Sequence, residues 1–199
     1  EEIFQMMDKG EGRIELIIAG GRDKLYRNDG VDGFKDVSKE SGISGFDIGL
    51  AATWWDYNDD GWPDLYVSND YKGSDKLYKN NQDGSFTEIA KTALPHIPWY
   101  SMGCDTADIN NDGFIDLFAT DMSGTSHYKR KIGMGDMRDE QWFMKSADPR
   151  QYMRNALYLS TGTERVFEAA SMMEMANTDW SWSPKFGDFD NDGKMDLFV

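Results

Sequence analysis

Asp56-Tyr57-Asn58-Asp59-Asp60-Gly61-Trp62-Pro63-Asp64-Leu65 is one of three copies of a single pattern. The others are Asp108-Ile109-Asn110-Asn111-Asp112-Gly113-Phe114-Ile115-Asp116-Leu117 and Asp188-Phe189-Asp190-Asn191-Asp192-Gly193-Lys194-Met195-Asp196-Leu197. Oxygen-bearing side chains recur at positions 1, 3, 5 and 9, and the glycine at position 6 supplies a left-handed turn that a side chain would penalise. Oxygens spaced in this way can wrap one hard cation. Calcium takes six to eight oxygens at about 2.3–2.6 Å, whereas zinc or copper calls for His and Cys. Of those types the chain holds only His96, His127 and Cys104. The candidate ligands are therefore the side chains of Asp56, Asn58, Asp60 and Asp64, of Asp108, Asn110, Asp112 and Asp116, and of Asp188, Asp190, Asp192 and Asp196. The main-chain carbonyls of Trp62, Phe114 and Lys194 would complete each cage. A single Asp-Asn-Gly cluster reads equally well as an ordinary turn. Three copies, each with Asp at position 9 and Leu after it, point instead to three calcium sites.

The loops belong to a longer repeat. Asp23-Lys24-Leu25-Tyr26-Arg27-Asn28 returns as Asp75-Lys76-Leu77-Tyr78-Lys79-Asn80 and as Asn155-Ala156-Leu157-Tyr158-Leu159-Ser160. The step from Leu25 to Leu77, and from Asp56 to Asp108, is 52 residues, and the next step of both markers is 80, so one copy carries an insert. Apolar runs bounded by turn residues divide each unit into four short strands, A to D. In the second unit they are expected at Gly49–Trp55, Asp64–Ser68, Lys76–Lys79 and Ser85–Ala90, with the acidic loop joining A to B. Small residues recur in the A strands (Gly49 and Ala51, Ser101 and Gly103, Ser181 and Ser183), as suits an innermost strand. Four-stranded units of this length imply an all-β chain, a partial β-propeller of about three to four blades. The units fall at about 1–42, 43–94, 95–174 and 175–199, the last incomplete, with an insert at 121–155. In the first unit the positions equivalent to 1, 3 and 5 are Met7, Lys9 and Glu11, so no metal site is expected there, and Asp8 reads as an ordinary surface acid.

These features resemble the FG-GAP/VCBS repeat propellers, and in particular the family related to cartilage acidic protein, which often ends in an ASPIC/UnbV domain. The Asp loops are shared with many calcium propellers. The narrower likeness rests on Glu140-Gln141-Trp142-Phe143 and on Pro149-Arg150-Gln151-Tyr152-Met153-Arg154-Asn155-Ala156-Leu157. The resemblance implies a propeller of around seven blades in proteins that are usually exported. On that reading the chain, which starts within one blade and stops within strand B of another, is a fragment of a larger propeller.

Composition narrows the function. A formal charge of −15 disfavours non-specific nucleic-acid binding, and ten of the acids sit at ligand positions of the loops. Hydrophobic content of 39% and aromatic content of 14% argue against disorder. No apolar run approaches the ~20 residues of a membrane span. Calcium loops of this kind fill where calcium is millimolar, so the expected location is extracellular, periplasmic or at the cell surface. Cys104 lies in a predicted inner strand and reads as a small buried residue.

The sequence holds no phosphate-binding Gly-rich loop, Cys-x-x-Cys or His-Glu-x-x-His. Ser126 beside His127 has no third partner, and His127 reads as a loop residue. Acids outside the loops that could serve a hydrolase are Asp121, Asp136, Asp139 and Glu140. Trp54, Trp55 and Trp62 read as blade packing. Trp99, Trp180 and Trp182 could pack or stack on sugars, and Trp142 is the freest candidate. Methionines gather between Met122 and Met175, as soft packing or as an adaptable contact surface. Within the insert, 136–145 has helix-compatible composition and Lys129-Arg130-Lys131 is a basic run in an acidic chain. The insert is either a solvated shield or a contact surface, and in the second case Arg130, Trp142, Phe143 and Tyr152 are its partner-binding residues. Two functions remain open. One is an exported calcium-binding propeller acting as a protein- or glycan-binding scaffold; the other is an extracytoplasmic enzyme, for example polysaccharide-active, with acids or His converging in a pocket on the propeller face.

Overall fold

The apolar runs on either side of each acidic loop pair with one another as antiparallel neighbours. In the computed structural model, which describes residues 3–10, 13–134 and 137–199, the chain is mostly β and forms several antiparallel sheets. Strand β1 (Ile3–Gly10) pairs with β2 (Arg13–Ala19), and β3 (Tyr26–Asn28) with β4 (Phe34–Asp36). The second unit is a four-stranded sheet in the order β5 (Ile48–Trp55), β6 (Asp64–Asp70), β7 (Lys76–Asn80), β8 (Phe86–Glu88). A short helix, α1 (Ala90–Ala93), and β9 (Ile97–Pro98) lead to β10 (Ser101–Ala107) and β11 (Asp116–Ser123). The insert then forms α2 (His127–Met134), a 3-10 turn (Met137–Glu140), α3 (Gln141–Ser146) and β12 (Gln151–Tyr152), which runs parallel to β9. β13 (Ala156–Leu159) and β14 (Phe167–Glu168) complete the sheet of β10 and β11. β15 (Asp179–Trp180) joins the far end of β11, and β16 (Lys185–Gly187) pairs with β17 (Asp196–Phe198).

The A-to-D order expected from sequence is thus the observed order in the second and third units; strand ends in the second unit shift by at most two residues, and three further differences stand out. Strand B of the third unit runs to Ser123 and does not stop near Thr120, because Met122 and Ser123 find a second partner in β15. Strand A of the fourth unit is Lys185–Gly187, beyond Ser181 and Ser183, since the preceding residues are drawn to β11. The first unit is two two-stranded sheets, not one of four. In the complete units one side chain closes the B–C junction: Asp75 Oδ1 accepts the Asn69 amide at 2.8 Å, and Asn155 Oδ1 accepts the Asp121 amide at 2.7 Å. Asp23, at the equivalent position, lies so close under Gly45 that a Cβ there would meet its carboxylate at 1.9 Å. The β1–β2 register runs up to Gly10 opposite Arg13, so that two residues separate these strands where eight separate strands A and B of the other units. Glu11 lies outside the described residues, as do the side chains of Met7, Asp8 and Lys9.

The main core fills the gap between the second and third sheets. Trp55 stacks on Tyr158 with ring centroids 6.2 Å apart, and Tyr66, Leu77, Leu117 and Ile97 close around them. Both polar tips are satisfied, as burial of Trp and Tyr demands: Trp55 Nε1 donates to Ile115 O at 2.6 Å and the Tyr158 hydroxyl to His96 O at 2.8 Å. Cys104 is buried beside them, and burial raises its thiol to about 12, so it is inert at neutral pH. Of the tryptophans expected to pack, only Trp55 is inside; Trp54 is 50% exposed because alternate residues of β5 face away from the core, and Trp62, in the acidic loop, is 45% exposed. Gly103 in β10 has Trp182 O where its Cβ would stand, at 2.3 Å, which explains the small residue in that inner strand.

Asn155 is fully buried and also donates to Met175 O and to the Thr178 hydroxyl, each at 2.8 Å. Asn155→Ala should therefore strand an amide and a carbonyl in the interior and cost about 2–4 kcal/mol in equilibrium urea unfolding. Thr87→Ala, on an exposed strand, should cost less than about 0.5 kcal/mol.

Candidate metal centre

Each acidic loop is held open by hydrogen bonds from its own backbone, and the pattern repeats. The carboxylate at position 1 accepts the amides of residues 5 and 6: Asp56 from Asp60 (3.1 Å) and Gly61 (2.9 Å), Asp108 from Asp112 (3.1 Å) and Gly113 (2.9 Å), Asp188 from Asp192 (2.9 Å) and Gly193 (2.9 Å). Position 5 accepts the amide of residue 7 at 2.9 Å in all three loops. Position 9 accepts the amide of residue 2: Asp64 from Tyr57, Asp116 from Ile109, Asp196 from Phe189. These bonds require left-handed backbone twice in each loop. Position 6 has it as glycine, at φ 81°, 92° and 85°, and position 4 has it as Asp59, Asn111 and Asn191, at φ 58°, 58° and 63°. Asp and Asn tolerate that region better than other side-chain-bearing residues, a signal at position 4 that the ligand-spacing argument passed over.

The acids gather where the loop closes. In the third loop carboxylate oxygens of Asp188, Asp190 and Asp196 lie within 4.8 Å of one another. In the first two, Asn58 and Asn110 replace the acid of position 3 and donate to Asp60 (3.2 Å) and Asp112 (2.9 Å). Burial raises Asp64 to about 6, and the nearby charges of Asp60 and Asp56 push the same way; Asp116 is raised to about 6 by burial with help from Asp112 and Asp108. Several carboxylates crowded into a half-buried loop favour a bound cation, which would relieve their repulsion. Asn58 offers a further sign of fit: it is buried and its Oδ1 has no hydrogen-bond partner. The donor set is all oxygen, which suits a hard cation such as calcium.

The other predicted site residues divide. Phe143 is 1% exposed and stacks on Trp99 at 5.2 Å, so it anchors the insert and offers nothing to a partner. Trp142 is half-buried, edge-on to Phe143 and beneath the Lys72 ammonium at 5.2 Å, and is not the free indole expected. Arg130 and Tyr152 are exposed, Tyr152 with the Arg154 guanidinium 5.3 Å over its ring. The insert docks on the turn after β6: Glu140 pairs with Lys72 at 3.1 Å and accepts the Tyr71 hydroxyl at 3.2 Å. It therefore packs against the sheet ends opposite the acidic loops. The basic run lies in α2, with His127 at its start, and not in a loop. Of the acids outside the loops, Asp121 is buried and accepts the Trp99 and Tyr100 amides at 2.7 and 3.1 Å, a structural role. Glu140 is committed to Lys72, while Asp136 and the side chain of Asp139 lie outside the described residues.

The chain belongs to the family of FG-GAP-like repeats, matched over residues 9–67, 56–119 and 143–199. Every matched stretch contains at least one acidic loop, and 120–142, most of the insert, falls between them. No curated protein matches the chain.

The raised carboxylates set a pH dependence for the metal-free protein. A carboxyl at about 6 when folded and 3.8 when unfolded holds more protons in the folded state between those values, so its unfavourable ionisation is complete above about 6 and vanishes toward 3.8. In chelator, Asp64→Asn and Asp116→Asn should therefore compare more favourably with wild type at pH 7.5 than at pH 4.5. Denaturant midpoints at the two pH values, showing the same difference at both, would contradict the assignment.

Proposed function

We propose that this chain is a calcium-stabilised segment of an exported β-propeller that serves as a binding scaffold, with one calcium ion in each acidic loop. The observation that carries the proposal is the threefold recurrence of one hydrogen-bond grid that leaves carboxylate and amide oxygens turned into the loop, together with the buried, unpartnered Asn58 Oδ1. Asp56, Asn58, Asp60 and Asp64, with their counterparts in the other two loops, would hold the ions through oxygen, joined by the carbonyls of Trp62, Phe114 and Lys194. Bound calcium would supply charge neutralisation and a cross-link between strands A and B.

A propeller is supported by the four-stranded sheet of the second unit packed against the five-stranded sheet of the third, with β5 beside β10 and β10 beside β16, the neighbour relation of innermost strands around an axis. Extracellular or surface placement is the usual setting of FG-GAP repeats, which often bind proteins, and no helix among the described residues is long and apolar enough to cross a membrane. The narrower likeness to the cartilage acidic protein-related branch is carried by the stretch from Glu140 to Leu157, which here forms the docked part of the insert. We assign the partner surface, for a protein or a glycan, to the insert end, where Tyr128, Arg130, Ile132 and Tyr152 are exposed.

An ion that binds only the folded state adds roughly 2.7 kcal/mol per site at 100-fold excess over Kd. Chelation should accordingly lower the melting temperature, and calcium should restore it. Asp112→Ala should remove about a third of that shift if the three sites contribute alike. Asp8→Ala, in the hairpin without a loop, should leave the shift unchanged. Equal responses of both variants, or a melting temperature indifferent to chelator, would overturn the proposal.

A further inference from the structure

The first and second loops carry the same amide at position 3, yet the two side chains sit differently. Asn110 Oδ1 accepts the Asp112 amide at 3.0 Å, and in the third loop Asp190 Oδ1 accepts the Asp192 amide at 3.2 Å. In all three loops this amide also bonds the carboxylate at position 1, but in the first the Asp60 amide bonds Asp56 without reaching Asn58, and Asn58 Oδ1 is left buried and unpartnered. The difference is a residue from the neighbouring sheet. Glu164, in the turn between β13 and β14, accepts the Asn58 Nδ2 at 3.2 Å through Oε1 and the Tyr57 hydroxyl at 2.5 Å through Oε2. Lys79 Nζ, at the end of β7, meets Oε1 at 2.5 Å. From Ser160 to Phe167 this turn is one residue longer than the corresponding Asn80 to Phe86 of the second unit.

We propose that Glu164 is a positioning residue for the cation site of the first loop: it holds the Asn58 amide by its nitrogen, so that the amide oxygen is presented to the ion. The proposal rests on the reading of the loops as calcium sites. It also makes the first site an inter-sheet device, since an ion pulling on Asn58 Oδ1 acts through one rigid amide on a residue of the third unit. An amide can be held oxygen-inward only by a group that accepts from its nitrogen, and a carboxylate is the strongest such group available. A carboxylate at position 3, as Asp190 in the third loop, needs no such partner because both of its outer atoms are oxygen.

Terbium, a luminescent stand-in for calcium, gives a readout specific to this loop. Trp62 at position 7 can sensitise it, whereas the other loops carry Phe114 and Lys194 there; the component of the signal lost in Trp62→Phe belongs to the first site. In Glu164→Ala the half-saturating terbium concentration of that component should rise about 10–100-fold, the usual effect of losing a residue that orients a ligand. Glu164→Gln, which keeps an acceptor for Asn58, should restore most of the affinity. In the Asn58→Asp background Glu164→Ala should not weaken binding. Tyr57→Phe and Lys79→Ala, which remove the other two contacts of Glu164, should bind as wild type does. A wild-type chain with no terbium or calcium uptake would overturn both the calcium reading and this inference. Uptake that is unchanged by Glu164→Ala, or equally weakened with Asn58 and with Asp at position 58, would overturn the inference alone. Weakening by Tyr57→Phe or Lys79→Ala to the same degree would also overturn it, by making Glu164 a general tie between sheets.

Discussion

One buried carboxylate in each of the second and third units, Asp64 and Asp116, joins the loop to the sheet, and much of the remaining structure depends on it. Asp64 begins β6, yet its side chain reaches back to the Tyr57 amide in the loop and sideways to the Asn80 amide at the end of β7, at 3.3 and 2.8 Å. Asp116 does the same with Ile109 and Ser160, at 3.0 and 2.8 Å. A single side chain thus fixes where the loop ends, where strand B starts and how strand C is aligned with it. Buried donors that lack an acceptor are costly, so the position tolerates few alternatives. The same burial makes the charge expensive, which is why these carboxyls are pushed up to about 6. A divalent cation at that spot would remove the expense without disturbing the hydrogen bonds.

The arrangement separates two ends of the molecule. Strand B starts at an acidic loop in the second, third and fourth units, and in the third unit it ends where the insert begins. The loop end is acidic and tightly hydrogen-bonded. The opposite end carries the insert, pinned by Phe143 against Trp99 and by the Glu140–Lys72 ion pair, with α2 exposed beyond it. Hydrogen-bonded loops at one end and an exposed helix at the other would suit the proposed binding scaffold, because the acidic loops need not touch the partner.

What the sequence made legible follows from the range of the interactions involved. The acidic loops are encoded by contacts between residues at most seven apart, so spacing alone located them and the strands on either side. The left-handed residue at position 4 was equally local and could have been read from Asp59, Asn111 and Asn191. Other features depend on distant residues. Strand β11 continues to Ser123 because Trp180 and Asp179 lie beside it, and Phe143 is buried because Trp99 supplies a stacking surface. Trp54 and Trp62 looked like packing residues, but the alternation of β5 and the outward course of the loop expose them. The separation of the first unit into two two-stranded sheets is not legible in its sequence, since Asp23-Lys24-Leu25-Tyr26 matches Asp75-Lys76-Leu77-Tyr78 of the intact second sheet.

The central claim is that the three loops are cation sites of one design, and the most direct measurement is anomalous diffraction from crystals grown in millimolar calcium. The account predicts three anomalous peaks, one per loop, each surrounded by oxygens of positions 1, 3, 5 and 9 and the carbonyl of position 7 at about 2.3–2.6 Å. Loops without peaks under those conditions, or ions held at about 2.0–2.1 Å in the octahedral manner of magnesium, would contradict it.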